Sequence, residues 1–394
     1  MMNGAVPYRD LFEHKGPLLY FLHGLAYLIS NNTFLGVYIV EVISFSLFLY
    51  FTFKIINLFV DWKYSAIMLP IMAAAVLNLR SFAHGDTAEE LTLPFMMISL
   101  YYLLRFYKNP TRHALPQSWV LINGIIAGCV LWIKYSYLGF WLGWIISITV
   151  CYLMNKQLIQ SIKTSLWFLL GILIASVPWL FYFGINRAIP DWIHTYFTIN
   201  LTMYPESLSA VEIIRSILLS FRKHLYLNPV SVSLIFLGMF VFVTNKKYIH
   251  HALHRFGLLF SFLLLALGVY IGGKDYIYYF LIFSPFIVFG FIILADLYAD
   301  TYGSIKSKTL LMGLILIIFI VTLAYTYRFN RNRYMLSWEK DDMVQYKFAA
   351  IMKETNHPTL LNYGFQDGGF YTIAGITPNV RFFQNTIFLM GNSP

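Results

Sequence analysis

The segment Pro7-Tyr8-Arg9-Asp10-Leu11-Phe12-Glu13-His14-Lys15-Gly16-Pro17 sets two carboxylates, a guanidinium, an imidazole and an ammonium directly ahead of a nearly unbroken series of apolar runs. Cations in such a setting can hold an anion, and a carboxylate or imidazole beside them can move a proton. Asp10 and Glu13 are the candidate proton acceptors here, and Arg9 and Lys15 the candidate anion ligands, with His14 between the two roles. The same residues also suit a solvated polar cap on an interfacial helix.

Hydrophobic residues make up 59% of the 394 and charged residues 12%, against about half and a quarter in soluble domains. Mean hydropathy is +0.65. This is the composition of an all-α polytopic membrane protein. The formal charge of +10 is scattered in short clusters between apolar runs, as in cytoplasmic loops rather than a nucleic-acid surface. Cys129 and Cys151 both fall inside apolar runs, with neither a disulfide framework nor metal-ligand spacing.

Runs long enough to cross predict ten helices, near 34–59, 65–80, 91–107, 119–133, 137–154, 165–184, 229–244, 256–271, 277–295 and 309–327. Alternate loops carry Lys54 and Lys63, then Lys108, Arg112 and His113, then Lys156 and Lys163, then Lys246, Lys247 and Arg255, then Lys306 and Lys308. By the positive-inside rule these loops face the cytoplasm. The other side then receives the N-terminal segment, His84 to Glu90, the turn at Lys134, the connection 185–228 and the turn 272–276. Residues 18–29, too short to cross and interrupted by His23, read as an interfacial helix. The organisation expected is an external segment at 1–33, a membrane bundle at 34–327 and a small external α/β region at 328–394. In that last region VQYKFAAIMKE has helical periodicity and TLLNYG reads as a strand and turn.

Four stretches resemble the GT-C membrane glycosyltransferases, in the group of protein O-mannosyltransferases and aminoarabinose transferases: PYRDLFEHKGPLLYFLHGL, HGDTAEELTLPFMMISLYYLLRF, GIIAGCVLWIKYSYLGF and GVYIGGKDYIYYFLIFSPF. Tyr278 in the last stands where that group often has His. The resemblance implies transfer of a sugar, with inversion, from a polyprenyl-phosphate carrier to an acceptor hydroxyl on a glycan, lipid or protein. It also implies an active site on the outer face of a membrane, here a bacterial cytoplasmic membrane. Lys15 and Arg9, with Lys134 and Lys274 at helix ends, are the expected phosphate ligands; for each lysine, snorkelling at the interface is the alternative. The group's catalytic carboxylate is expected upstream of the segment resembling PYRD, after a further helix, so the catalytic role is assigned to no residue by resemblance. Glu13, Asp10 and Asp86 remain candidates on chemistry alone.

Asp86, Glu89 and Glu90 stand where helix 91–107 begins, and Thr87 with Glu90 has the spacing of a capping box. Capping and the orientation of a sugar or acceptor are equal readings. Oxygen ligands of this kind suit Mg or Mn, although the resemblance implies no metal or other cofactor. Glu41, inside a predicted span, should face the bundle interior or a polar cavity. It is the main argument for an ion-coupled transporter, the rival to a transferase beside a lipid-linked oligosaccharide flippase or polymerase. The connection 185–228 reads as a lid or as a structural link.

Overall fold

An apolar chain must satisfy its backbone within itself, and helices do this without a neighbour. The structure, a computed structural model, describes residues 1–82, 85–109, 114–203, 205–303, 305–362 and 368–382. Expectations for His84, Arg112, His113 and the glycine-rich turn after Asn362 lie outside the described residues. In chain order the helices are α1 (Pro17–Ile29), α2 (Leu35–Ile56), α3 (Trp62–Leu77), α4 (Ala88–Tyr107), α5 (Gln117–Lys134), α6 (Gly139–Met154), α7 (Leu158–Ile185) and α8 (Ile189–Ile193). There follow α9 (Asn200–Thr202), α10 (Ala210–Leu227), α11 (Pro229–Thr244), α12 (Ala252–Tyr270), α13 (Ile287–Tyr302), α14 (Lys308–Phe329), α15 (Val344–Lys353) and α16 (Phe370–Ala374).

Six segments among the described residues are long and apolar enough to cross a membrane: Leu35–Ile56, Gln117–Met154, Leu158–Ile185, Ala252–Tyr270, Ile277–Thr301 and Lys308–Phe329. The count differs from ten for physical reasons. α3 and α11 are each only 16 residues long, α4 carries Glu89, Glu90 and Arg105, and two expected spans form one apolar run, interrupted by a 3-10 turn at Tyr135–Leu138. Glu41 is half-buried in α2.

The α/β character expected of the C-terminal region is corrected: no strand forms among the described residues. At 359–362, where a strand was expected, a side chain takes the place of a paired backbone. The Tyr371 hydroxyl donates to the Leu360 carbonyl at 3.0 Å and accepts from the Asn362 N–H at 3.3 Å. The helix expected nearby is α15.

The chain divides into two compact units, one of Met1–Val42, Ser176–Pro205 and Tyr334–Pro394, the other of Ile43–Ala175 and Glu206–Arg333. In the second, helices approach backbone to backbone where glycine removes the side chain. A Cβ on Gly139 of α6 would lie 2.0 Å from the Leu264 carbonyl oxygen of α12, and one on Gly143 2.4 Å from the Ser261 Cα. Large aromatics fill the space such contacts leave, and buried Trp141 donates its indole N–H to Ser99 at 2.9 Å. Side chains set helix starts: the Thr87 hydroxyl accepts the Glu90 N–H at 3.2 Å, and Ser209 with Glu212 forms a reciprocal capping box on α10. The hydrophobic patterning of α10 is amphipathic, and it is not one of the six spanning segments.

On α10, His224 is fully buried and stacks on Phe280, with ring centroids 4.2 Å apart. Neither ring nitrogen has a hydrogen-bond partner among the described residues. Burial pulls its pKa down to about 4; Asp275 opposes this and Lys223 adds to it. The folded state therefore refuses a proton that the unfolded chain accepts near the ordinary histidine value of about 6.5. Stability from this site is complete above about pH 6.5 and is lost as the pH falls towards about 4, by about 3 kcal/mol at most. Thermal unfolding in detergent across that range should show this loss, and His224→Phe should flatten it. Gly139→Ala should lower the melting temperature at every pH, by overpacking worth about 1–3 kcal/mol.

Candidate functional site

The N-terminal segment folds as a tight turn rather than a flexible lead. The Tyr8 N–H donates to the Leu11 carbonyl at 2.8 Å, Asp10 N–H to the Val6 carbonyl at 2.9 Å, and Val6 N–H to Asp10 Oδ2 at 2.7 Å. Tyr8 adopts φ +71°, a left-handed conformation costly for a bulky residue and met most often where geometry serves function. Its ring is completely buried against Tyr20, Phe183 and Tyr196. Arg381 donates to the Tyr8 carbonyl at 2.9 Å, and Phe12 N–H to the Arg381 carbonyl at 2.8 Å, so residues distant in sequence hold the turn from outside.

Within the turn the two carboxylates take different roles. Asp10 is engaged at both oxygens: it accepts Arg9 Nε at 2.7 Å and Nη2 at 2.9 Å besides the Val6 N–H. The Arg9 hydrogen bonds hold its carboxyl below the usual range against some opposing burial. Arg9 also donates to the Asn186 carbonyl at 2.8 Å, which makes the pair a brace. Glu13 instead uses one oxygen. Its Oε1 accepts the His14 backbone N–H at 2.8 Å and lies 3.1 Å from His14 Nδ1. His14 Nε2 lies 3.4 Å from Lys15 Nζ, completing a carboxylate–imidazole–ammonium chain. Among the described residues Lys15 Nζ has no carboxylate partner and Glu13 Oε2 no hydrogen bond.

Two phenols and an amide fix the backbone of this chain. Tyr8 donates to the Lys15 carbonyl at 2.6 Å, Lys15 N–H donates to the Tyr20 oxygen at 3.1 Å, and Asn200 donates to the His14 carbonyl at 2.8 Å. Burial, more than any charge nearby, pushes both phenols well above the ordinary tyrosine value, so they stay neutral. Glu13 and Tyr20 also line a cavity of about 330 Å³, with Leu11, His23, Gly24 and Tyr27 in its walls.

The remaining sequence candidates belong to the other unit. Glu89, buried at the start of α4, accepts Lys134 Nζ at 2.8 Å and the Tyr137 hydroxyl. The Lys134 ammonium lies 3.7 Å from the ring centroid of Tyr279, 4.9 Å from that of Tyr137 and 5.9 Å from that of Tyr278, a cation-π setting. To meet a phosphate, Lys134 must leave Glu89. Lys274 likewise pairs with Glu206 at 2.8 Å. Its loop is held further by Asp275, which accepts Ser220 and Lys223, each at 2.9 Å. Asp86 is exposed at φ +46°, and Glu90 is buried.

No group of three or more histidine, cysteine or carboxylate side chains gathers for a metal among the described residues. A divalent ion at Glu89 would have to displace the lysine.

Sequence reasoning did not single out Tyr8, Tyr20, Tyr137, Tyr279, Asn200 or Asp275, and it read Glu206 only as part of the 185–228 connection. Tyr8 stood inside the charged segment and was legible as a neighbour. Asn200, 186 positions from His14, left no local signal.

Removing one partner of a buried ion pair strands the other charge, at a cost of about 3–5 kcal/mol. Glu89→Gln and Lys134→Met should each lower thermal stability by that order, followed by tryptophan fluorescence. The double variant should lose far less than the sum.

No curated protein matches the chain. A family model does, over residues 1–309, and on that match the protein belongs to the family described as the competence-induced protein Ccs4 N-terminal domain.

Proposed function

We propose that this chain is an integral-membrane glycosyltransferase that moves a sugar from a polyprenyl-phosphate carrier to an acceptor hydroxyl, with inversion. The observation that carries the reading is the Glu13–His14–Lys15 chain, whose Glu13 end lines a cavity. Among the described residues it sets a carboxylate with one oxygen that accepts no hydrogen bond two residues from a lysine without a carboxylate partner. In the proposed step Glu13 Oε2 takes the acceptor proton as the acceptor oxygen bonds to the sugar C1. The C1–O bond to phosphate breaks, and polyprenyl phosphate leaves with its charge met by Lys15. His14 holds the Glu13 carboxylate through Nδ1 and the Lys15 ammonium through Nε2, and so sets the spacing between them.

This reading prefers Glu13 to Asp10 as base, because Asp10 is ion-paired to Arg9 and both its oxygens already accept hydrogen bonds, from Arg9 and Val6. It makes the bundle GT-C-like, with α3, α4 and α11 crossing beside the six longer segments, and the site facing outward from a bacterial cytoplasmic membrane. Glu89 and Lys134 then support the bundle.

Purified full chain in nanodiscs, given radiolabelled polyprenyl-phosphate sugars and membrane extract as acceptor source, should transfer label. Glu13→Gln should lower the rate by about 10²–10⁴-fold and Lys15→Ala by about 10²–10³-fold, with elution and helical content unchanged. Full transfer by Glu13→Gln, or no transfer by the wild type from any carrier sugar, would overturn the proposal.

A further inference from the structure

The cavity beside Glu13 is built for something other than a bare sugar. Its volume, about 330 Å³, is at the small end of small-molecule sites, roughly 300–1,000 Å³. Met1, Met2, Ala5, Pro7, Leu11 and Gly24 contribute apolar surface. The polar groups in its walls are mostly committed to one another or to backbone. Tyr27 donates to Asn3 at 3.2 Å, Asn3 donates to Thr377 at 3.0 Å, and His23 Nδ1 lies 2.8 Å from the Leu19 carbonyl. Among the described residues Glu13 Oε2 is an acceptor with no hydrogen bond, and the Tyr20 hydroxyl, which accepts the Lys15 N–H, keeps its proton for a ligand. A monosaccharide would bring several hydroxyls to walls that offer them few partners, and each would lose its hydration uncompensated.

We infer that this cavity binds the acceptor, and that the acceptor is an alcohol with an apolar body whose hydroxyl is presented to Glu13. This deepens the transferase reading and rests on it for the word acceptor; the binding itself does not. The local charges favour an alcohol over an amine. The Asp10 charge is met by Arg9 and the Glu13 charge in part by His14, with Lys15 beyond it, so little surplus negative charge calls for an ammonium. The arrangement also explains why base and phosphate ligand stand two residues apart: the hydroxyl and the leaving group must meet the same sugar carbon from opposite sides.

The test uses the full chain in nanodiscs without any donor sugar, and 4-benzoylbenzyl alcohol as a photoreactive apolar alcohol. Irradiation should attach the probe within residues 1–27, as mapped by mass spectrometry. Gly24→Leu should lower labelling at least tenfold, because a side chain at Gly24 meets only the flexible end of Met2, 2.7 Å from the new Cβ, and then fills the cavity. Thr377→Trp, which fills the space from another wall, gives the same reading should Gly24→Leu fold poorly. 4-Benzoylbenzylamine should label more weakly. Labelling elsewhere, labelling unchanged in both filled variants, or stronger labelling by the amine would overturn the inference. Sugar transfer measured in parallel separates the two proposals. Labelling lost with the filled cavity but no transfer by wild type leaves an alcohol site standing and removes the transferase; transfer undiminished in the filled variants does the reverse.

Discussion

A charge placed in an apolar chain must find an opposite charge or a dense set of dipoles, and this constraint organises the protein. In the larger unit the clearest instance is Glu89 with Lys134, closed in by Tyr137, Tyr278 and Tyr279. The pair draws together the start of α4, the end of α5 and the 3-10 segment Ile277–Phe286. That segment is in turn set by Lys274 on Glu206 and by Asp275 on Ser220 and Lys223. Apolar packing between helices is weakly directional, so these polar clamps supply much of the register that close glycine contacts then complete.

The same constraint has a different outcome in the smaller unit. Arg9 and Asp10 cancel each other and brace the turn, whereas Glu13, His14 and Lys15 neutralise one another only in part. Their backbone is held by buried phenols rather than by their own charges, so the side chains remain available while their positions are set. Tyr8 performs both tasks. Its ring is core, its hydroxyl holds Lys15, and its left-handed backbone closes the turn. A strained residue that links packing to a polar chain in this way gives a short segment the rigidity a reacting group needs.

Much of the fold was legible because its causes are local. The amphipathic short helix after Pro17, the Thr87 cap, the C-terminal helix at Val344–Lys353 and the long apolar runs all follow from spacing and residue type. The strand expected at 359–362 failed because a strand needs a partner, and the partner that mattered was the Tyr371 side chain. Six segments rather than ten are long and apolar enough to cross, because an apolar run does not report where a helix starts or breaks. The joined run 117–154, the short lengths of α3 and α11 and the charges on α4 make the difference.

By itself the sequence determined that this is a helical, membrane-type chain with its chemistry-bearing residues in a few short polar segments. Backbone satisfaction in an apolar setting admits helices or closed barrels, and apolar runs of about twenty residues select the helices. It also determined which residues were candidates. Only the tertiary structure decided among them, because availability depends on partners brought from afar: Asp10 is consumed by Arg9 and the turn, Lys134 by Glu89, and Lys274 by Glu206. Among the described residues Glu13, which lines a cavity, keeps one oxygen without a hydrogen bond and Lys15 has no carboxylate partner, because Tyr8, Tyr20 and Asn200 hold their backbone instead. The distances that make this so, from contacts 186 positions apart in one case, exist only once the chain is folded.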